Sequence, residues 1–279
     1  MPELPEVETI RRVLEPSVTD DKITEIFIRQ NRMIRGQSLY FFKQELTGRQ
    51  ILKVDRRGKY LIFRLNHKIF LVHLGMSGQI IRTTDNSVSQ NTSFPLPDKH
   101  THLTLWLSSG TVLYFRDPRM FGRYILSDPN DESRLFSNLG PEPLGPQFTP
   151  SGLYQDLRKR TASIKALLLS QKIVAGLGNI YVDESLFRAK INPAKPGGQI
   201  SKKQTKILHE SIKLVLTEAV NAGGTSISDF QDPEQRIGNY QNHLQVYGKK
   251  GKSCPHCGTI IIKENLAQRG THWCPSCQK

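Results

Sequence analysis

Gly140-Pro141-Glu142-Pro143-Leu144-Gly145-Pro146 is the stretch on which the reading of this chain turns. Proline lacks an N–H and holds φ near the helical value, and glycine adds chain freedom, so neither a helix nor a central strand runs through such a segment. It predicts an interdomain linker, which we place at residues 136–150, and the character of the sequence changes on its two sides. Upstream, residues 22–126 are β-rich. Ile23, Ile26 and Ile28, the run Ile51–Leu65 and the run Ile69–Ile81 are branched, apolar and partly alternating. His102–Leu107 and Thr111–Phe115 flank Ser108-Ser109-Gly110, a hairpin signal. Residues 83–99 are polar with two prolines and read as a long loop, and a short helix is expected around Asp131–Leu139. Before the strands, Val7, Ile10 and Leu14 form a helical stripe. Together these predict a β-sandwich capped by an N-terminal helix over residues 2–135.

Downstream the pattern is helical. Thr149-Pro150 is a cap followed by a first-turn proline. Ala162–Gln171 is helix-forming, and Ser201 can cap a long helix with Leu208, Ile212, Val215 and Ala219 on one face, stopped by Gly223-Gly224. Residues 151–240 are expected to form this helical domain. The tail, residues 241–279, holds all four cysteines, Cys254, Cys257, Cys274 and Cys277, as C-x2-C, sixteen residues, then C-x2-C. Two close thiolate pairs suit a tetrahedral zinc site, and four thiolates leave no open position, so the metal is structural. Two disulfides in a secreted tail are the alternative, disfavoured because the N-terminus lacks a secretory pattern. The fold class is thus α+β, multidomain, with a zinc hairpin.

The chain has 39 Lys and Arg against 25 Asp and Glu, a net charge of +14, which calls for a polyanion: nucleic acid first, an anionic membrane second. No apolar run is long enough to span a bilayer. The expected location is cytoplasmic. Residues 151–203 carry ten basic residues against three acids, and 241–279 carry six against one, so the helical and zinc segments are expected to face phosphates together. Solvated surface lysines account for single positions but poorly for the total.

The N-terminal stretch Pro2-Glu3-Leu4-Pro5-Glu6 carries the sharpest chemistry. Once Met1 is removed, Pro2 presents a secondary amine able to form an iminium, with Glu3 and Glu6 in reach to move protons. An ordinary capped helix would use the same residues. Gly176-Leu177-Gly178-Asn179 joins two helical stretches, and Asn179 can cap the second, whose N-terminus favours phosphate; a plain helical connection is the alternative. Asp117-Pro118-Arg119-Met120-Phe121-Gly122, with Met76 in His73–Gly78, supplies an arginine and apolar side chains able to fill a base stack, although core packing would explain Met76 and Phe121 as well. Lys59, in Arg56-Arg57-Gly58-Lys59-Tyr60, can reach a phosphate or a reacting sugar, or simply mark a basic strand edge. Arg269, between the cysteine pairs, would be held rigidly by a zinc-braced hairpin.

Taken in order, these motifs resemble the formamidopyrimidine-DNA glycosylase family, the bacterial 8-oxoguanine-DNA glycosylase/AP lyases. The resemblance runs nearly end to end, from Pro2–Thr9 through Lys59-Tyr60, His73–Gly78, Asp117–Gly122, Gly140–Leu144, Gly176–Tyr181 and Gln245–Gly248 to the cysteine hairpin ending at Lys279. It implies that Pro2 attacks C1′ of a damaged nucleotide in duplex DNA, with Glu3 shuttling protons, Glu6 in support and Lys59 and Arg269 completing the catalytic set, followed by β- and δ-elimination. It implies contacts to the DNA backbone from His73, Asn179, Lys59 and Arg269 and places Lys165 among the DNA-binding residues, with His100 and Tyr240 as weaker carry-overs. Met76, Arg119 and Phe121 would fill the void and face the orphan cytosine. Gly223–Phe230, centred on Gly224, Thr225 and Ser226, matches the loop over the flipped lesion. The resemblance further implies one structural zinc per chain, a helix–two-turns–helix element in the helical domain, a monomer, and a bacterial, nucleoid-associated setting. Three departures stand out. Met120 replaces a usual second cation, Ser77 stands where some members have Glu, and the 83–99 loop is long. The alternatives are an endonuclease VIII-like enzyme for oxidised pyrimidines and a non-catalytic zinc DNA-binding protein. Leu4-Pro5 and the separated Met76 and Arg119/Phe121 favour the purine enzyme over the former.

Overall fold

The structure is a computed structural model that describes residues 2–84, 95–227 and 230–279. The loop expected at 83–99 therefore lies largely outside the described residues, as do Met1 and the 228–229 part of the expected lesion loop. The chain divides into two compact units, residues 1–137 with 223–239, and residues 138–222 with 240–279.

In the first unit, α1 (Leu4–Val18) buries Leu4, Val7, Ile10, Leu14 and Val18, the stripe expected at helical spacing. After it come β1 (Ile23–Ile28), α2 (Leu39–Leu46), β2 (Ile51–Arg57), β3 (Tyr60–Leu65), β4 (Lys68–His73), β5 (Gln79–Thr83), β6 (Thr101–Leu107), β7 (Val112–Arg116), β8 (Arg123–Ser127) and the single turn α3 (Glu132–Leu135). The strands form two antiparallel four-stranded sheets, β1-β6-β7-β5 and β2-β3-β4-β8. Leu103, Leu105, Leu113 and Phe115 of the first share one core with Val54, Leu61, Phe63, Phe70 and Val72 of the second, closed by α1. Ring contacts cross the layers, Phe115 lying 6.2 Å from Phe70 and 6.4 Å from Phe63. This is the expected capped sandwich. The 108–110 hairpin turn is present, with Leu107 N–H donating to Thr111 O at 2.9 Å. Helix α2 lies inside the region read as β-rich. Its sequence, LYFFKQEL, is apolar nearly all round its first turn, so no helical period marks it, yet the Ser38 side chain caps it and Phe42 and Leu46 bury one turn apart.

The second unit contains α4 (Pro150–Leu157), α5 (Ile164–Leu169), α6 (Asn179–Arg188), α7 (Lys202–Asn221) and the antiparallel pair β9 (Ile262–Leu266) and β10 (Arg269–Trp273). The expected caps are in place. Thr149 accepts from Gly152 N–H at 3.1 Å, and Ser201 and Gln204 form a capping box on α7. Phe187, Val246, Ile261, Cys254 and Cys274 make a small core beneath the hairpin. Among the described residues no helix is long and apolar enough to cross a membrane.

The division differs from the sequential boundaries: residues 138–150, expected in the linker, and 241–279, expected as a separate zinc finger, both fall in the second unit, and one further segment changes unit. Residues 223–239, which the sequence reading assigns to the helical domain, cluster with the sandwich. Phe230 packs on the sandwich core, and β5 holds the segment through Arg82, whose N–H donates to Pro233 O and whose side chain pairs with Glu234 at 2.7 Å. These contacts span about 150 residues, so no local pattern marks them.

Candidate active site and nucleic-acid interface

The start of α1 is built around two buried carboxylates. Pro2 is buried, and Glu3 and Glu6 are each 2 % exposed. Glu3 takes the N-cap position, where its own N–H donates to Glu6 Oε2 at 2.8 Å. The other Glu6 oxygen accepts Thr225 N–H at 2.7 Å. One side chain therefore ties the N-terminus to the base of the 223–239 segment. Gly224 explains the close approach: its φ is +82°, and a Cβ there would sit 2.9 Å from Glu6 Oε1. Ser226 Oγ closes the base, accepting Gly238 N–H at 2.9 Å and donating to Phe230 O at 2.7 Å. Gly224, Thr225 and Ser226 thus form the footing of the loop.

Lys59, in the turn between β2 and β3, is 8 % exposed. Its charge acts on His73 at the end of β4. Burial, helped by Lys59 and Arg123, pulls the His73 imidazole down to about 4. His73 is therefore neutral at pH 7. Its Nδ1 accepts Gly75 N–H at 3.1 Å, which leaves the proton on Nε2. The residue presents a hydrogen-bond donor to an anion, without a charge.

The two candidate stack-filling segments meet on this unit. Met76, Arg119 and Phe121 are all exposed, Phe121 by 50 % and Met76 by 37 %, so the core-packing reading of Met76 and Phe121 does not hold. Arg119 lies over the Phe121 ring with its guanidinium carbon 4.8 Å from the centroid. Met120, φ +53°, turns inward and packs against the core. His100 is half-buried just before β6, its carbonyl accepting Asp117 N–H at 2.9 Å.

In the second unit, Gly178 is the N-cap of α6 and Asn179 its first residue, rather than the cap expected from sequence. The Asn179 side chain is instead used on the zinc hairpin, Nδ2 donating to Gly270 O at 2.9 Å. Lys165, expected at the DNA surface, is fully buried and paired with Asp183 at 2.7 Å. Its role is internal. Lys165 Nζ also donates to Gly270 O at 3.3 Å, and Asp183 Oδ2 accepts His272 N–H at 2.8 Å, so the pair fastens β10 to α5 and α6. Arg269 is exposed at the start of β10. Its turn, Ala267-Gln268, holds both residues at positive φ (+51° and +58°), a conformation that usually selects Asn-Gly. Tyr240 is 3 % exposed, stacked on His243 and tilted against Tyr181, and burial raises its phenol above the ordinary range. Glu184, which sequence reasoning missed, accepts three backbone N–H groups of residues 245–247 at 2.8–3.0 Å. Burial nonetheless raises its carboxyl. An acid within a helical stretch carries no sequence signal for such a role.

The four cysteine sulfurs lie within 4.8 Å of one another, with Cys257 and Cys274 3.5 Å apart and Cys254 and Cys277 3.9 Å apart. Tetrahedral zinc with thiolate bonds of about 2.3 Å requires sulfurs about 3.8 Å apart, so the residues fit the ion. Cys254, Cys257, Cys274 and Cys277 hold one structural zinc that braces the hairpin.

Three family models match: the formamidopyrimidine-DNA glycosylase N-terminal domain over residues 1–124, the formamidopyrimidine-DNA glycosylase H2TH domain over 139–231, and the zinc finger found in FPG and IleRS over 251–279. The formamidopyrimidine-DNA glycosylase of Neisseria meningitidis serogroup A is 40% identical, with all of both chains covered. That of Symbiobacterium thermophilum is 44% identical over all of this chain and 89% of its own. Among solved structures, wild-type Lactococcus lactis Fpg bound to DNA containing N7-benzyl-Fapy-dG superposes with a TM-score of 0.91 at 41% identity, covering 100% of both chains. The MutM (FPG) protein of Thermus thermophilus gives 0.88 at 38%, covering 99% of this chain and 98% of its own. With its sandwich, its H2TH segment and its zinc hairpin all matched in order, this chain belongs to the formamidopyrimidine-DNA glycosylase family.

Proposed function

We propose that this protein is a bifunctional DNA glycosylase/AP lyase of base excision repair that removes oxidised purines, 8-oxoguanine and formamidopyrimidines, from duplex DNA. The observation that carries the reading is the burial of Pro2, Glu3 and Glu6 together at the start of α1, with Glu6 bonded to the footing of the 223–239 loop. A helix N-terminus disfavours a protonated amine, which keeps the Pro2 nitrogen nucleophilic. That nitrogen attacks C1′ of the flipped nucleotide as the base leaves; the amine then loses its proton, the C1′–O4′ bond breaks with O4′ taking up a proton, and an iminium remains between Pro2 and C1′. Glu3 carries the proton at the sugar, and Lys59 and Arg269 complete the catalytic set. Loss of the 3′ and then the 5′ phosphate by β- and δ-elimination clears the sugar.

Gly224, Thr225 and Ser226 seat the loop that covers the lesion. In the sandwich unit His73 donates Nε2–H to a phosphate and His100 is a second backbone contact; in the helical unit Arg269 and Asn179 contact the backbone, with the buried Tyr240 in support. Lys165 supports those contacts from beneath, through Gly270. Met76, Arg119 and Phe121 take the place of the extruded base. The sandwich unit, residues 1–137 with 223–239, carries the nucleophile and its carboxylates, and the second unit, residues 138–222 with 240–279, supplies the helical and zinc-finger contacts to DNA. The excess of basic residues predicts binding that weakens steeply with salt. The working form is a monomer in the bacterial cytoplasm, associated with the nucleoid.

Borohydride trapping on a duplex with 8-oxoguanine opposite cytosine, followed by mass mapping, tests the reading. A covalent adduct on Pro2 is expected. Absence of an adduct from a protein whose N-terminus is free proline and which still binds the duplex would overturn it, and strong preference for thymine glycol would reassign it to oxidised pyrimidines.

A further inference from the structure

Met76 and the Arg119/Phe121 pair come from separate connections, one between β4 and β5 and one between β7 and β8. Asp117, 1 % exposed, lies where they meet. Its carboxylate accepts the Ser77 hydroxyl at 2.5 Å and Arg119 N–H at 3.3 Å on one oxygen, and Gly122 N–H at 2.7 Å on the other. Its main chain is fixed as well: N–H donates to His100 O, and the carbonyl meets His102 Nε2 at 3.0 Å. The two connections also touch directly. A Cβ on Gly75 would stand 2.6 Å from the Phe121 carbonyl carbon, so the approach is available only to glycine. Three exposed side chains thus rest on a base whose donors converge on a single buried carboxylate.

We infer that Asp117 is a positioning residue for base extrusion, which holds Met76, Arg119 and Phe121 as one preformed wedge. This rests on the reading that these three enter the stack. The physical reason is the cost of ordering. A mobile loop loses backbone freedom when it enters DNA, whereas these loops lose it when the protein folds, so the insertion step is spared that cost. Ser77 has a defined part. Its hydroxyl is given to Asp117, which couples the Met76 loop to the Arg119 loop.

The test compares Asp117→Asn with the parent enzyme on two substrates. Single-turnover excision from a duplex with 8-oxoguanine opposite cytosine or adenine needs the wedge. Borohydride trapping on a single-stranded oligonucleotide with an abasic site needs the nucleophile but has no opposite base to replace. Asp117→Asn is expected to slow duplex excision about 10- to 100-fold, as weakening of hydrogen bonds to a buried charge implies, and to narrow the cytosine-over-adenine ratio. Trapping on the single strand is expected to match the parent. Ser77→Ala, which keeps the charge, should show the same pattern at about fivefold, and a thermal melt confirms folding of each variant. Equal losses on both substrates, or no loss on either, would overturn the inference. A Met76→Ala/Arg119→Ala/Phe121→Ala triple variant with full duplex activity would overturn the underlying wedge reading, a result separable from any obtained at Asp117.

Discussion

The two units brace their functional loops by different chemistry. In the sandwich unit, buried carboxylates join segments far apart in sequence: Glu6 accepts N–H groups of Glu3 and Thr225, and Asp117 accepts the Ser77 hydroxyl together with the N–H groups of Arg119 and Gly122 in its own loop. In the helical unit, the hairpin that presents Arg269 is closed by four thiolates and fastened from below by the fully buried Lys165–Asp183 pair. The difference follows from the size of what is being held. The sandwich loops emerge from a large core and need only local direction. The hairpin has two five-residue strands over five small-core residues, too little apolar burial to fold alone, so it relies on a metal and a charge pair. Chelators should therefore act on the helical unit and spare the sandwich.

Removing zinc should have the largest effect. A structural zinc site of this type is worth about 10 kcal/mol or more of folding free energy, so chelation should unfold the hairpin and abolish high-affinity DNA binding while the sandwich melts as before. Unchanged affinity with zinc loss confirmed would show that the hairpin holds without the metal. Next in size is Lys165→Met, which strands a buried Asp183 carboxylate. A loss of about 3–5 kcal/mol is expected, with partial recovery in Lys165→Met/Asp183→Leu, measured by denaturant unfolding. A loss no greater than that of a surface lysine would contradict the burial of the pair.

The smallest of the three effects probes the sandwich through His73. The unfolded chain protonates this imidazole below its ordinary pKa near 6.5, and the folded protein only near 4. Between those values the unfolded state binds the extra proton, so stability falls as pH drops through the window and levels off below it. The shift corresponds to about 3 kcal/mol at most. His73→Gln, which can still accept Gly75 N–H, should flatten that part of the stability–pH curve. Identical slopes for the two proteins would show that His73 titrates normally.

Much of this architecture was legible from the chain. The sandwich strands, the caps at Thr149 and Ser201, and the cysteine pairs each rest on a spacing of a few residues, which is the scale on which hydrophobic period, capping and ligand geometry act. The same locality explains what was misread. Lys165 and Asn179 lie in a basic segment and look like surface cation and helix cap, but both turn toward Gly270, 105 and 91 residues on. Helix α2 was hidden because nearly all of its first turn is apolar. The 223–239 segment follows a helix in sequence, yet its polar anchors, Glu6 and Arg82, belong to the sandwich.

By itself, then, the sequence determined the two kinds of domain, the zinc ligands, the excess of positive charge and the placing of Pro2 beside Glu3 and Glu6, because each is a property of composition or short-range period. Only the tertiary structure decided which carboxylate serves which loop, that His73 is neutral, that Lys165 is internal and that Met76, Arg119 and Phe121 share one base. Those outcomes depend on burial and on donors brought together across the chain, and no local pattern encodes either.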